Sequence, residues 1–345
     1  MYKLLDQDFN KICKTLPFSI KSFKDKSFLI TGANGLIGSY FIYFLNYLNK
    51  EYSTNIAIYA MSRSKEKLEK TLGSFRVNII EQDLNEPLKQ EIKTDYIIHA
   101  ASNAHPMAYS KDPVGTMKTN LIGTMNLLEN LKNLTSKFLY ISSGEIYGSN
   151  IDHAFTENDL GDVDTKSVRS CYPESKRAAE TLCMAYNSQF GIKVNVARLC
   201  YVYGPTITDS NSRADAQFLR NALNNEDIIM KSEGTQRRTY CYVADVISGL
   251  LTILANGEDA QVYNIANPDS IVSIKEYATT LCEISGTNLK FEIPNEVEKI
   301  GYSKSNDSIL DSSKLISLGW KPIFGIREGL EKTVTSRKAE ELCLS

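Results

Sequence analysis

A short apolar strand that runs straight into a glycine-rich turn constrains the fold of this chain more than any other feature. Residues 27–38 read SFLITGANGLIG. Gly32 permits a tight turn after the strand, Gly35 lets the backbone approach a pyrophosphate, and Gly38 lets the next helix pack closely against the sheet. A helix that begins at Leu36 directs its N-terminal N–H groups at the phosphates. The segment therefore predicts a dinucleotide site, with candidate contacts at Gly32, Asn34, Gly35, Leu36, Ile37 and Gly38.

Strands and helices alternate through the first two-thirds of the chain. Short apolar runs are separated by helical patterns such as 114–133 and 175–190, which is typical of a parallel sheet with helices on both faces. The candidate strands are 27–31, 56–61, 77–80, 95–99, 137–142 and 193–199. The pattern predicts an α/β protein, with a Rossmann-type doubly wound parallel sheet and a smaller C-terminal substrate-binding lobe.

The chain also suggests a division into segments. We expect a helical extension at 1–25 and a nucleotide-binding domain at 26–205. Beyond residue 205 the alternation loosens, which predicts a substrate-binding lobe formed by 206–239 and 267–345. The intervening segment 240–266 reads as a helix followed by a strand, and we expect it to return to the first domain.

Composition excludes several classes of partner. The 345 residues carry a formal net charge of −2 without a basic block, so we expect no nucleic-acid partner. No apolar run reaches the roughly 18 residues that a membrane span needs, so we expect no membrane partner. The seven cysteines are scattered and never form C-x-x-C. This pattern favours a reducing cytoplasm over disulfides, and it predicts no metal site.

Tyr172 and Lys176 form the candidate catalytic pair. They are four residues apart, so on a helix their side chains share one face. A phenol with a pKa near about 10 is a poor base at neutral pH. We expect the Lys176 ammonium, together with the positive charge of an oxidised nicotinamide, to lower the pKa of Tyr172.

Ser143 and Glu145 follow a predicted strand in the segment SSGEIYG at 142–148. Ser143 is placed to hydrogen-bond the substrate hydroxyl that Tyr172 deprotonates. Glu145 is the more discriminating residue, because plain hydride transfer needs no second carboxylate. A carboxylate at the reacting face is useful when a second proton must move, for instance at a carbon beside a new ketone.

With these residues the chain resembles the extended short-chain dehydrogenases/reductases, specifically their nucleotide-sugar epimerase/dehydratase group. The resemblance covers about residues 26–335, and it includes HAAS at 99–102, the segment 198–205, which is similar to R-x-F-N-x-Y-G-P, and the segment 238–245, which is similar to R-x-F-x-Y-V-x-D. Within the group the pattern is most similar to UDP-glucuronate decarboxylases and nucleotide-sugar 4,6-dehydratases. Thymidine-type dehydratases have Thr-Asp-Glu where this chain has Ser143-Gly144-Glu145, which weakens that assignment.

The resemblance also implies the remaining contacts. Cofactor residues beyond the glycine turn would be Ser62, Arg63, Asp83, Leu84, Ala100, Ala101, Ser102, Tyr172 and Lys176. Substrate residues would be His105, Ser143, Tyr201, Arg213 and Arg238, with Tyr201 replacing the Asn of the family pattern. The second strand ends in Ser62-Arg63 and not in an acid, and an arginine there accommodates a 2′-phosphate. We therefore expect NADP or NAD, with NADP slightly favoured.

The resemblance implies an enzyme that modifies a nucleotide-diphosphate sugar through a transient 4-keto sugar, without net oxidation. Dehydration and decarboxylation both fit Glu145. A 4-epimerase of the same family, an NADPH-dependent keto-sugar reductase and a non-catalytic dinucleotide-binding protein are the alternatives. The family further implies a homodimer, formed through the helices predicted at 114–133 and 175–190.

Overall fold

The structure is a computed structural model. It describes residues 2–73, 75–132, 134–148, 153–292 and 307–344. The strands are β1 (Ser27–Thr31), β2 (Ala57–Ser62), β3 (Asn78–Glu81), β4 (Tyr96–His99), β5 (Lys137–Ser143), β6 (Lys193–Leu199), β7 (Tyr201–Tyr203), β8 (Ile228–Met230), β9 (Arg237–Tyr242), β10 (Gln261–Ile265), β11 (Ile271–Ser273) and β12 (Leu289–Phe291). The helices are α1 (Tyr2–Thr15), α2 (Leu36–Tyr52), α3 (Lys65–Leu72), α4 (Pro106–Lys111), α5 (Pro113–Leu131), α6 (Cys171–Phe190), α7 (Ala214–Leu223), α8 (Val243–Asn256), α9 (Ile274–Ser285), α10 (Ser313–Ser317) and α11 (Ile326–Leu344).

Within the described residues, seven parallel strands form the central sheet in the order β10-β6-β5-β4-β1-β2-β3. Helices cover both faces, so strands such as β1 and β5 are buried along almost their whole length. The predicted doubly wound α/β fold is confirmed, and each of the six predicted strands is present within a residue or two of its expected bounds.

The strand order reverses between β1 and β4, which are neighbours in the sheet. Crevices form at such switch points, outside the carboxyl ends of the strands. Gly32 follows β1 with φ +63°, and Ala100 follows β4. A Cβ on Gly32 would lie 2.7 Å from the Ala100 carbonyl oxygen, so only glycine fits this turn.

The segments after β6 form a second layer beside the sheet. Strands β11, β9 and β7 form one small sheet, and β12 pairs with β8. From β9 the chain continues through α8 into β10, which pairs with β6 at the edge of the central sheet. The domain boundaries expected near 205 and 239 stay predictions, and the part of the expected lobe at 293–306 lies outside the described residues.

Helix α1 packs on α2 and α8 through buried apolar side chains such as Leu5, Phe9 and Ile12. Asp8, on the same face, accepts hydrogen bonds from the hydroxyls of Tyr40 (3.2 Å) and Tyr242 (2.7 Å). Its other carboxylate oxygen lies 2.7 Å from the ammonium of Lys332. This polar cluster links α1 to α2, β9 and α11. No helix in the described parts of the chain is long and apolar enough to cross a membrane.

Candidate active site

A cavity of about 210 Å³ opens at the carboxyl ends of β1, β4 and β5, at the switch point of the sheet. The turn after β1 forms one wall, and the residues that follow β5 and begin α6 form another. Thirteen of the predicted site residues line it: Gly32, Gly35, Leu36, Ile37, Gly38, Ala100, Ser102, His105, Ser143, Glu145, Tyr172, Lys176 and Arg213. The structure therefore brings the glycine turn and the candidate catalytic residues together, although about 135 residues separate them in sequence.

A second cavity continues from the first past the end of β2. The two share Gly32 and Ser102. Predicted cofactor residues that line the second cavity are Asn34, Ser62, Arg63, Asp83, Leu84 and Ala101. Lys67, in the first turn of α3, also lines it and was not predicted. Two basic side chains, Arg63 and Lys67, thus stand at the end of this cavity.

The residues around Gly35 fit the pyrophosphate of a dinucleotide. Gly35 is the N-cap of α2, and its lack of a side chain leaves the first N–H groups of the helix without a side-chain cap. Such groups at a helix N-terminus bind anions. A Cβ on Gly38 would lie 2.4 Å from the Gly32 carbonyl oxygen, so the turn and the helix are closely packed. When bound there, a nicotinamide dinucleotide supplies a hydride acceptor and donor.

Tyr172 is buried, and its phenol is a weaker acid here than in water. Burial, with a smaller contribution from the Glu145 carboxylate, raises the pKa of Tyr172 to about 12. Ser143, Arg213 and Arg169 act in the opposite direction. The expectation that Lys176 lowers the pKa of Tyr172 needs correction for the protein alone, because the groups that stabilise the phenolate are Ser143 and the two arginines.

Lys176 is also buried, and burial lowers the pKa of its ammonium to about 7. The nearby Glu180 carboxylate opposes this shift. The Lys176 Nζ donates to the carbonyl oxygen of Ile141, at 2.7 Å, near the end of β5. Glu180, one turn further along α6, pairs with Arg198 at 2.8 Å and accepts a short hydrogen bond from Ser142. These contacts fix α6 against the strand ends that carry Ser143.

Glu145 is held by a residue that the sequence reasoning missed. Nη2 of Arg169 donates to Oε2 of Glu145 at 2.6 Å. The Arg169 guanidinium lies over the ring of Tyr109, 4.5 Å from its centroid, and that ring stacks on Tyr172 at 5.4 Å. The signal that could have revealed Arg169 is its position, three residues before Tyr172 and directly ahead of α6.

The predicted substrate residues lie at different depths. His105 and Arg213 line the main cavity, and Tyr201 lines a smaller recess that it shares with Ser143, Glu145 and Arg213. Burial and the charge of Arg213 lower the pKa of His105. Arg238 lines none of these cavities, and its guanidinium lies over the ring of Tyr201, 4.3 Å from the ring centroid.

Comparison with known proteins supplies the family. Residues 28–266 match the model of the NAD dependent epimerase/dehydratase family. UDP-glucuronic acid decarboxylase 6 of Arabidopsis thaliana is 35% identical over 302 residues, which cover 88% of this chain and 86% of that one. UDP-glucuronic acid decarboxylase 1 of Xenopus tropicalis is 32% identical, over 96% of this chain and 76% of its own.

This chain belongs to the NAD dependent epimerase/dehydratase family.

The fold agrees with that membership. The crystal structure of a UDP-glucose 4-epimerase with UDP-glucose from Thermotoga maritima superposes with a TM-score of 0.76 at 25% identity, over 92% of this chain and 99% of that one. The predicted resemblance to the nucleotide-sugar epimerase/dehydratase group is confirmed, and so is the expectation of an enzyme that uses NAD or NADP. The roles of individual site residues in this member of the family stay predictions.

Among the residues that the structure describes, no group of three or more His, Cys, Asp or Glu side chains could hold a metal ion. The six cysteines whose side chains are described are all free thiols.

Proposed function

We propose that this protein decarboxylates a UDP-linked glucuronic acid through a 4-keto intermediate, with no net oxidation. The observation that carries the proposal is the Glu145 carboxylate, which shares one cavity with Ser143, Tyr172 and Lys176. The two relatives compared above are both named UDP-glucuronic acid decarboxylases, over most of this chain.

Tyr172 begins the reaction as the base that takes the proton of the sugar 4-hydroxyl. Ser143 hydrogen-bonds the same hydroxyl, and the arginines beside Tyr172 stabilise the phenolate. The glycine turn, with Gly32, Gly35 and Gly38, would hold the dinucleotide, which would supply the acceptor and later the donor of the C4 hydride. Lys176 lies at the end of β5 beside these groups, where its ammonium adds positive charge to the site.

The ketone at C4 then makes the C6 carboxylate part of a β-keto acid. The bond between C5 and C6 breaks, carbon dioxide leaves, and the electron pair passes into the enolate of C4 and C5. Glu145, whose side chain is 30% exposed, can take a proton from water and pass it to C5. Tyr172 returns its proton to the C4 oxygen, and hydride from a bound dinucleotide would restore the hydroxyl of a pentose product.

Mass spectrometry of the products tests this reaction. The protein is incubated with UDP-glucuronate without added reductant, and in parallel with UDP-glucose. We expect the uronate to lose the mass of one carbon dioxide and the hexose to stay unchanged. Loss of water from the hexose would replace this proposal with a dehydratase. A uronate of unchanged mass but altered sugar configuration by NMR would replace it with a 4-epimerase.

We also propose that the cofactor is NADP in preference to NAD. Arg63 and Lys67 line the second cavity, and β2 ends in Ser62 where an acid would bind a ribose 2′-hydroxyl. Two cations there favour a 2′-phosphate. Identification of the nucleotide that copurifies with the protein tests this proposal, because a bound NAD at full occupancy would contradict it.

A homodimer and a cytoplasmic location complete the proposal. Val114, Met117 and Met125 recur on one exposed face of α5, and Val168 lies exposed beside them. This apolar face is suited to a second copy of the chain. Light scattering on the purified protein tests the homodimer. We expect the mass of two subunits, and the mass of one subunit would contradict the proposal. The cytoplasmic location rests on the scattered thiols, and cell fractionation tests it.

A further inference from the structure

Arg169 is paired with Glu145, which lines the main cavity. It belongs to the short 3₁₀ turn Val168–Ser170, which leads directly into α6. Its side chain is 48% exposed, so part of the guanidinium is accessible to solvent beside its two partners. Two contacts fix its position: the 2.6 Å bond to Glu145 and the Tyr109 ring beneath it.

The Tyr109 ring connects this guanidinium to the base. It stacks on Tyr172 with an interplanar angle of 25°. Arg169 is therefore placed beside both groups that act on the sugar, Tyr172 at C4 and Glu145 at C5. The substituent on C5 is C6, so a carboxylate on C6 would lie next to the Glu145 carboxylate.

Two carboxylates that meet in a partly buried site repel each other unless a cation lies between them. A guanidinium carries five N–H donors in a planar fork, and the bond to Glu145 uses one of them. Arg213, which also lines the cavity, already donates to the Val202 carbonyl and faces Asp215 at 3.7 Å. The Lys176 ammonium likewise already has an acceptor, the Ile141 carbonyl oxygen.

We propose that Arg169 determines the specificity for a uronate, by binding the C6 carboxylate of the sugar while it remains paired with Glu145. The inference rests on the proposed function and deepens it. UDP-glucose carries a neutral hydroxymethyl group at C6, which would gain little from this guanidinium. Arg169 therefore increases the difference in binding affinity between UDP-glucuronate and UDP-glucose.

Binding measurements on Arg169→Gln test this assignment. Calorimetry on the cofactor-loaded protein compares UDP-glucuronate with UDP-glucose, which differ only at C6. We expect the substitution to weaken binding of UDP-glucuronate by about 10- to 100-fold, the range for a lost hydrogen bond to a charged group. Binding of UDP-glucose should change by less than about threefold. Arg169→Lys keeps the charge without the fork and should recover part of the preference.

Arg177→Gln is the matched control, because Arg177 lies on α6 in a partly exposed pair with Glu174. It should leave both affinities unchanged. Equal weakening of both sugars by Arg169→Gln and by Arg169→Lys would overturn the inference, since that is the effect of a purely structural residue. Carbon dioxide release by the unmodified protein is measured separately. Its absence would refute the decarboxylase, whereas release without an Arg169-dependent preference would refute this inference alone.

Discussion

Lys176 Nζ lies 2.7 Å from the carbonyl oxygen of Ile141, two residues before Ser143 on the same strand. The bond ties the beginning of α6 to the end of β5. Because Tyr172 is one turn before Lys176, this contact helps to hold the candidate base in a fixed position relative to Ser143, the candidate hydroxyl donor. Both partners are buried, so the arrangement exists before any substrate enters.

Tyr172→Phe should abolish turnover while the cofactor remains bound. The change removes the hydroxyl but keeps the ring that stacks on Tyr109. Loss of a positioned base is expected to lower kcat by about 10²- to 10⁴-fold. The measurement is product formation, with the bound nucleotide quantified in parallel. Tyr52→Phe, at an exposed tyrosine, is the control, and near-normal turnover of the Tyr172 variant would contradict the scheme.

Glu145→Gln should separate the two halves of the reaction. Glutamine keeps the shape of the Glu145 side chain and can still accept a hydrogen bond from Arg169, but it cannot deliver a proton to C5. We expect oxidation at C4 to proceed and the final product to fall by about 10²-fold or more. Rapid quenching followed by mass spectrometry should detect a 4-keto sugar. An unchanged rate of product formation would show that Glu145 only positions Arg169.

Arg63→Gln should change the cofactor preference. Removal of the guanidinium takes one cation from the cavity beyond β2, so the dissociation constant of NADP should rise by about tenfold. That of NAD should be nearly unchanged. Lys70→Gln, in the last turn of α3, serves as the control. If both dinucleotides weaken together, Arg63 contacts a feature that they share and not the 2′-phosphate.

Asp8→Ala should destabilise the protein without altering the cavity. The substitution leaves the buried hydroxyls of Tyr40 and Tyr242 and the ammonium of Lys332 without their acceptor. We expect the free energy of unfolding to fall by about 3 kcal/mol, measured with urea. Lys65→Ala removes an exposed ion pair with Glu69 and should change the free energy of unfolding by less than about 0.5 kcal/mol. A similar small effect from Asp8→Ala would mean that the cluster is held by packing alone.

Asp245 should make stability depend on pH between about 4 and 7. Burial raises the pKa of this carboxyl to about 7, although the backbone N–H groups of Ile323 and Phe324 donate to it. Across that window the folded protein keeps a proton that the unfolded chain releases, so the free energy of unfolding decreases as pH rises. Asp245→Asn should flatten that slope in urea titrations at several pH values. An equal slope in the variant would assign it to other groups.

Local sequence was sufficient for the parts of the site that one segment forms by itself. The turn around Gly32 and the pair Tyr172–Lys176 depend on residues within a few positions of each other, and the structure places both at one cavity. Arg169 and Tyr109 were missed because their roles exist only through contacts between α4, the turn before α6 and the end of β5. In the protein without cofactor the pKa of Tyr172 is raised and not lowered, because burial by segments distant in sequence outweighs the nearby positive charges.

The hydrogen bonds around Asp8 also limit when helix α1 can complete its contacts during folding. Tyr242 lies 234 positions from Asp8 along the chain, and helix α1 precedes every element that it packs against. Contacts across such a distance form late in folding, because a long loop must close first. During synthesis Phe9 can pack on α2 early, because its ring partners Tyr40, Phe44 and Tyr47 all lie in that helix. The contacts of α1 with β9 and α8 must wait until those elements have emerged from the ribosome. In that interval the part of α1 that later contacts α8 is open to chaperones and to aggregation.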